Sequence, residues 1–258
     1  MSSTTAPPQF LRLAGHPVRW QLLAELALGD LRVRELVARL DLSQNLVSYH
    51  LRLLRDGGLV TTRRSTYDGR DSYYRLDLDV SRRLWLAAGD ALHPSLRPGP
   101  IEPGALPRRP RRLRVLCACT GNTARSPIAA ALLRHRSGGA LDVVSAGSQP
   151  GTRFHPGAAR VLRDEYGVGL GARGPRHLDS VVDRRFDYAI TLCDRVREVV
   201  PPLPGSPVLV HWSTDDPSAD HVPDDDTVIR RITHDIDGRV SHLLHVLADH
   251  HHPEGAAP

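Results

Sequence analysis

The segment at residues 119–126, which reads CTGNTARS, places a cysteine and an arginine six positions apart. It follows a short apolar run and precedes a predicted helix, so its successive amides and the helix N-terminus form a cradle for an anion. The arginine adds a planar fork that matches two oxyanion oxygens. We predict that an oxyanion is bound by Thr120, Gly121, Asn122, Thr123, Ala124, Arg125 and Ser126.

Cys119 is the candidate nucleophile of this loop. A positive environment favours the thiolate, and in such places the pKa of a cysteine falls from about 8.5 to roughly 3.5–7.5. We expect Ser126 to donate a hydrogen bond to the sulfur and Asn122 to brace the loop, and Gly121 permits a positive φ. The alternative is a buried structural cysteine, which is our interpretation of Cys117.

Residues 115–133, VLCACTGNTARSPIAAALL, resemble the low molecular weight phosphotyrosine phosphatase fold and the thioredoxin-linked arsenate reductases built on it. The resemblance extends over about residues 113–249. The Cys-x5-Arg-Ser motif indicates the superfamily and leaves the substrate open. The resemblance implies a three-layer α/β domain with a parallel sheet.

The segment HWSTDDP, residues 211–217, resembles the part of that family that carries the general acid. The resemblance implies that Asp216 protonates the leaving oxygen, whereas Asp215 is typical of a turn cap. Tyrosine phosphatases of the family carry aromatic residues after this proline. Here Ser218 and Ala219 follow, which favours another substrate.

Cys193 stands where the arsenate reductases place their second thiol. The implied reaction begins with attack of Cys119 on arsenate, after which Cys193 attacks Cys119, releasing arsenite and leaving a disulfide. The third cysteine of many such enzymes is replaced by Val200, so an external thiol, thioredoxin or a low-molecular-weight thiol, would serve as reductant, and we expect no bound cofactor. Alternatively, Cys193 only packs at a strand end.

Two further functions remain open for this domain. One is phosphate-ester hydrolysis, for which Cys193 is dispensable. The other is a non-catalytic oxyanion or redox sensor that controls DNA binding.

Alternating strands and helices position these residues. Apolar runs predict strands at 113–117, 141–145, 188–192 and 207–211, with helices at 126–135 and 226–247. This alternation is typical of a mostly parallel sheet that is covered on both faces.

The N-terminal part has a different pattern. Helices are predicted at 17–28, at 33–40 and from an N-cap at Ser43 to Gly57, followed by a hairpin around Asp68-Gly69 and a helix at 81–92. This order predicts a winged helix-turn-helix. The third helix and the wing offer side chains suited to base edges and phosphates, and the predicted DNA-binding residues are Ser43, Gln44, Asn45, Ser48, Tyr49, Arg52 and Arg70.

Residues 42–60, LSQNLVSYHLRLLRDGGLV, resemble the recognition region of ArsR-type winged-helix repressors, and the resemblance covers about residues 10–92. It implies a homodimer, paired through the first and last helices, on palindromic operator DNA. The alternative is an interaction domain with a polar helix face. This part contains no cysteine, and Asp90 with His93 are too few ligands, so we predict no metal site.

Composition sets the domain organisation. We predict a DNA-binding domain at 1–92, a linker rich in proline and arginine at 93–112, a phosphatase-like domain at 113–249 and a disordered tail at 250–258. Residues 1–92 hold 13 arginines against 10 acidic residues, 93–114 hold six against one, and 115–258 hold 15 against 18. Three cysteines, no signal peptide and no membrane span predict a cytoplasmic protein.

Overall fold

The computed structural model describes residues 6–65, 71–92, 112–171, 173–217 and 226–249. The chain divides into two compact units, Met1–Glu102 and Pro103–Pro258, and each has its own hydrophobic core. Several predicted features lie outside the described residues: the Asp68-Gly69 turn, Arg70, His93 and most of the linker, Ser218, Ala219 and the tail at 250–258.

The first unit is a winged helix-turn-helix, as predicted. Its elements are α1 (Gln9–Ala14), α2 (Pro17–Leu26), β1 (Leu31–Arg32), α3 (Val33–Leu40), α4 (Gln44–Asp56), β2 (Val60–Arg64), β3 (Ser72–Leu76) and α5 (Leu78–Leu92). The strands form an antiparallel sheet in the order β1-β3-β2. Helix α1 and strand β1 were not predicted, because six and two residues are too few to show a hydrophobic period.

Helix α4 begins and ends where its sequence predicts. The Ser43 hydroxyl accepts a hydrogen bond from the Leu46 amide at 3.4 Å, and Gly57 follows the last helical residue. Val47 and Leu51 are fully buried among the core side chains. Leu46, which the sequence grouped with this apolar face, is instead 37% exposed.

The second unit is built on a four-stranded parallel sheet in the order β5-β4-β6-β7. Its elements are β4 (Leu113–Cys119), α6 (Arg125–Arg136), β5 (Leu141–Gly147), α7 (Pro156–Tyr166), β6 (Tyr188–Thr191), α8 (Asp194–Val199), β7 (Val208–His211) and α9 (Thr227–Asp249). A short 3-10 turn, Leu178–Ser180, precedes β6. The strands are close to those predicted, whereas the sequence did not locate α7 and α8.

The parallel arrangement brings chemically active residues to one edge of the sheet. Strands β4 and β6 are neighbours, and Ala118 lies opposite Thr191 in their register. Cys119 and Cys193 therefore lie together beyond the carboxyl ends of these strands, where open α/β sheets bind ligands.

Helix α9 packs against α6 and α7 on this scaffold. Two bidentate ion pairs hold α9 in place, one between Arg136 and Asp237 and one between Arg160 and Asp226. The Arg160 guanidinium also lowers the pKa of Asp226. Across the ranges that the structure describes, no helix has the length and apolar content needed to cross a membrane.

Candidate active site

The loop from Cys119 to Arg125 joins β4 to α6 and surrounds the cysteine sulfur. The Asn122 amide donates a hydrogen bond to Cys119 Sγ at 3.2 Å, and Ser126 Oγ lies 3.0 Å from the same sulfur. Cys119 and Ser126 are both buried. These contacts fix the direction of the sulfur before any substrate binds.

The loop carbonyls face away from this cradle. The segment after β5 donates backbone hydrogen bonds to them, with distances of 2.9 to 3.3 Å from the amides of Ser148, Gln149, Gly151 and His155 to the carbonyls of Cys119, Thr120, Gly121 and Thr123. Fixing the carbonyls on the outer side leaves loop amides available for an anion on the inner side. No sequence pattern predicts this outer layer of hydrogen bonds.

Asn122 braces the loop through both ends of its amide. Its Nδ2 donates to Ser126 Oγ at 2.9 Å, and its Oδ1 accepts from the Arg176 amide at 2.9 Å. The positive φ of the loop, 48°, also belongs to Asn122. Gly121, whose residue type permits a positive φ, does not adopt one. Asparagine tolerates the left-handed region when its side chain is held locally.

Gly147, the last residue of β5, allows the loop to approach the sheet. A Cβ at this position would lie 2.5 Å from the Thr120 carbonyl oxygen and 2.9 Å from the Asn122 amide. Both atoms belong to the backbone and cannot turn away, so any side chain here would displace the loop.

Arg125 and Asp216 meet at the mouth of the loop. An Arg125 terminal amino group lies 3.3 Å from Asp216 Oδ2, and the arginine side chain is 8% exposed against 44% for the aspartate. Asp215 is instead exposed and pairs with Arg231 at 3.2 Å, on the outer side of the acidic segment. Asp216 is thus the aspartate that contacts the loop arginine.

Cys193 lies beside the loop, between β6 and α8. Its Sγ is 3.2 Å from Thr120 Oγ1, the hydroxyl of the residue next to Cys119. The two cysteines are also close enough for the charge of Cys193 to raise the pKa of Cys119. All three cysteines are free thiols and are buried.

Burial has the largest effect on the pKa of Cys119 and raises it, while Arg125 and Ser126 act to lower it. This direction is opposite to the depression that the charges of the loop alone predict. The sequence shows the charges of the loop but not the side chains that exclude water from the sulfur. Burial also raises the pKa of Cys117 to about 12, which agrees with its interpretation as a core residue.

A buried histidine and aspartate connect the two halves of the site. His211 Nε2 lies 3.2 Å from Asp194 Oδ1, and the Ser213 hydroxyl donates to the same oxygen at 2.7 Å. The His211 side chain is 0% exposed and that of Asp194 1%. Because Asp194 follows Cys193 and Ser213 lies three residues before Asp216, this network holds the second thiol and the acidic loop together.

Sequence reasoning missed this network, since a pair separated by 17 residues on different elements has no local pattern. No group of three or more His, Cys, Asp or Glu side chains that could hold a metal occurs in the described ranges.

The predicted DNA-reading face is exposed on the first unit. Solvent reaches every one of its described members: Ser43, Gln44, Asn45, Ser48, Tyr49 and Arg52. The Arg52 guanidinium lies over the Tyr49 ring, 5.7 Å from its centroid. Arg64 on the wing strand β2 is exposed as well.

Comparison with known proteins accounts for both units. The family model "Low molecular weight phosphotyrosine protein phosphatase" matches residues 114–250, more than half of the chain. The chain belongs to this family. The match covers the four strands of the parallel sheet apart from Leu113, together with the Cys119 loop and Asp216. The model "Bacterial regulatory protein, arsR family" matches residues 16–62, which contain α4.

Individual relatives follow the same division. The chain is 30% identical over 124 residues to an arsenate reductase of Halalkalibacterium halodurans, covering 47% of this chain and 88% of that protein. It is 40% identical over 74 residues to the biofilm growth-associated repressor of Agrobacterium fabrum, covering 29% of this chain and 61% of that protein. The arsenate reductase structure from Archaeoglobus fulgidus is 30% identical, with a TM-score of 0.42, covering 51% of this chain and 98% of that one. The protein thus joins an ArsR-type helix-turn-helix to an arsenate reductase-like member of the phosphatase family.

Proposed function

We propose that the protein is a cytoplasmic, DNA-binding regulator whose second unit reduces arsenate to arsenite. The observation that carries the reductase proposal is the contact between Cys193 Sγ and Thr120 Oγ1, which brings a second thiol to the Cys119 loop. Ester hydrolysis needs only one thiol, whereas reduction needs two electrons and hence two. The arsenate reductases among the relatives support the same choice.

The first step joins arsenic to the nucleophile. Arsenate binds to the inner amides of the loop and to Arg125, and Cys119 Sγ attacks the arsenic atom. Because burial raises the pKa of Cys119, the thiol proton leaves as the anion enters, and an arsenate oxygen accepts it. The anion displaces the Asp216 carboxylate from Arg125, and Asp216 takes up a proton from solvent. An arsenic–oxygen bond then breaks, Asp216 gives that proton to the departing hydroxide, and water leaves.

The second step transfers two electrons to arsenic. Cys193 Sγ attacks Cys119 Sγ and forms the disulfide, an oxygen of the departing arsenic group takes up the Cys193 thiol proton, and the electron pair of the sulfur–arsenic bond remains with arsenic as arsenite. The Asp194 and His211 network holds the segment that carries Cys193 during this attack.

An external thiol completes the cycle. The disulfide accepts two electrons from thioredoxin or from a low-molecular-weight thiol, by exchange at one of its sulfurs. Val200, which caps the end of α8, supplies no third thiol to carry the oxidation outward. The reductant therefore attacks the disulfide between Cys119 and Cys193 itself.

The reductase proposal is tested by arsenate-dependent consumption of reductant. Wild type should turn over repeatedly, Cys119→Ser should be inactive, and Cys193→Ser should stop after one arsenic adduct per protein. Cys117→Ala is the matched control, since this buried thiol has no role in the reaction and the variant should keep turning over. Repeated turnover by Cys193→Ser would refute the resolving role, and hydrolysis of p-nitrophenyl phosphate without reductant would favour the phosphatase alternative.

For the first unit we propose a homodimer on palindromic operator DNA, read by the exposed face of α4. The match to the ArsR family model supports DNA binding. Selection of binding sites from random duplexes should yield two inverted half-sites about one helical turn, 10–10.5 base pairs, apart. A single half-site would overturn the dimer, and measuring the same affinity with arsenate, arsenite or oxidant present tests the sensor alternative.

A further inference from the structure

A shallow basin of about 470 Å³ lies on the second unit, at the end of the sheet opposite to the active site. We call it the arginine basin, and its walls are Arg112, Arg114, Arg134, Leu141, Asp142 and Val143. It is formed where β4 and β5 begin and α6 ends. Arg114 and Cys119 are five residues apart on β4, which corresponds to about 17 Å at 3.3–3.4 Å per residue.

Positive charge exceeds negative charge in the arginine basin. Asp142 is its carboxylate, and two arginines share it, with Arg184 at 3.3 Å and Arg114 at 3.8 Å from Asp142 Oδ2. Asp187, the other acidic residue at this edge, accepts a hydrogen bond from the Arg114 amide at 2.7 Å. Four guanidinium groups, counting Arg112 and Arg134, thus face two carboxylates.

The remaining two arginines offer donors to a ligand. Arg134 donates through Nε to the Val143 carbonyl at 3.3 Å, which orients its guanidinium and leaves both terminal amino groups as donors. Arg112 is exposed, and its side chain makes no ion pair with any residue in the described part of the chain. Burial, together with the charges of Arg173, Arg184 and Arg134, also lowers the pKa of Arg176, so the crowding of positive charge extends beyond the basin.

The form of the basin favours an extended anion over a small one. Small-molecule sites enclose most of their ligand, whereas this basin is open to solvent and its arginines come from two separate segments. The chain leading into it, residues 93–112, holds five arginines and one acidic residue. The same chain carries the helix-turn-helix, so duplex phosphates are present at high effective concentration.

We propose that the arginine basin binds the phosphate backbone of DNA adjacent to the sequence bound by the first unit. Arg112 and Arg134 each contact a phosphate, and Asp142 holds Arg114 and Arg184 in place. Because the basin and the Cys119 loop lie at opposite ends of β4, this contact leaves the active site open. The inference rests on DNA binding by the first unit and is independent of arsenate reduction.

The test measures the salt dependence of binding to a duplex of arbitrary sequence, with the full-length protein. Each phosphate contact contributes about 0.9 to the slope of log affinity against log salt, so Arg112→Gln/Arg134→Gln should lower the slope by about 1.8. Arg112→Lys/Arg134→Lys should retain the slope, because a lysine still releases one counterion. The matched control, Arg163→Gln/Arg195→Gln, removes the same charge from exposed positions on α7 and α8 and should leave the slope unchanged.

Three results would overturn the proposal: an unchanged slope in the basin double variant, an equal fall in the control pair, or stabilisation of the protein by inorganic pyrophosphate without any change in the slope. The last would mark a small-anion site. Gln44→Ala on α4 distinguishes a failure of the basin to bind phosphates from a failure of the first unit to bind DNA. This variant should weaken binding to the specific sequence, while the contribution of the basin to the salt slope persists. The melting temperature of each variant verifies that the fold is intact.

Discussion

Removal of the Asp194 carboxylate tests whether the buried network stabilises the second unit. Its Oδ1 lies near His211 Nε2 and accepts from the Ser213 hydroxyl, and all three residues are buried. Asp194→Ala leaves His211 and Ser213 without this acceptor. Each buried polar group that loses its partner costs about 1–3 kcal/mol of stability.

We therefore expect Asp194→Ala to lower the free energy of unfolding by about 2–6 kcal/mol, the sum for the two groups. At about 2–4 °C per kcal/mol for a unit of this size, the melting temperature should fall by roughly 4–24 °C. Asp194→Asn keeps an oxygen acceptor for Ser213 and should lose less. Trp212 fluorescence reports on this unit, because Trp212 is buried whereas Trp20 and Trp85 in the other unit are exposed.

The matched control is Asp164→Ala, which removes an exposed carboxylate paired with Arg163 on α7. An exposed pair contributes about 0–1 kcal/mol. If Asp194→Ala lowers the Trp212 transition no further than Asp164→Ala does, the network does not stabilise the site, and its proposed role in holding Cys193 fails with it.

Three further predictions concern other parts of the molecule. Gly147→Ala should cost about 1–3 kcal/mol by overpacking against the Thr120 carbonyl and should abolish arsenate turnover, with circular dichroism and reductant assays as the measurements. Burial raises the pKa of Cys117, so the folded state holds the thiol proton more tightly than the unfolded state. The stability that this provides is complete below the ordinary pKa of 9.0 and is lost as the pH rises beyond it. The urea midpoint should therefore fall above pH 9.0, and Cys117→Ala should reduce that fall. Gln44→Ala should weaken operator binding by about 1–3 kcal/mol in a titration while leaving the melting temperature unchanged, because its side chain is exposed.

Local signals predicted those parts of the protein whose causes are local. Ser43 and Gly57 mark the two ends of α4 because capping depends on adjacent residues. The Cys119 loop is contiguous in sequence, so its position between strand and helix was predictable. The roles of Asp216 and Cys193 came from the family resemblance, since nothing in their spacing joins them to Cys119.

Features that depend on distant segments escaped prediction. The pairing of His211 with Asp194 requires two elements to pack side by side. The raised pKa of Cys119 was not predicted, because burial of its sulfur depends on which distant residues cover the loop. The left-handed conformation of Asn122 also escaped prediction, because the Asn122 side chain is held by Ser126 and by the distant Arg176.

The ion pair between Arg125 and Asp216 makes the resting site selective before any reaction begins. An incoming anion must compete with a tethered carboxylate for the guanidinium. A singly charged ion such as chloride exchanges one unit of negative charge for another and gains little, whereas a doubly charged tetrahedral anion repels the carboxylate and occupies more of the donors. Monovalent anions should therefore compete poorly for Arg125, and entry of a doubly charged anion releases the Asp216 carboxylate, which must take up a proton before it can protonate a departing oxygen.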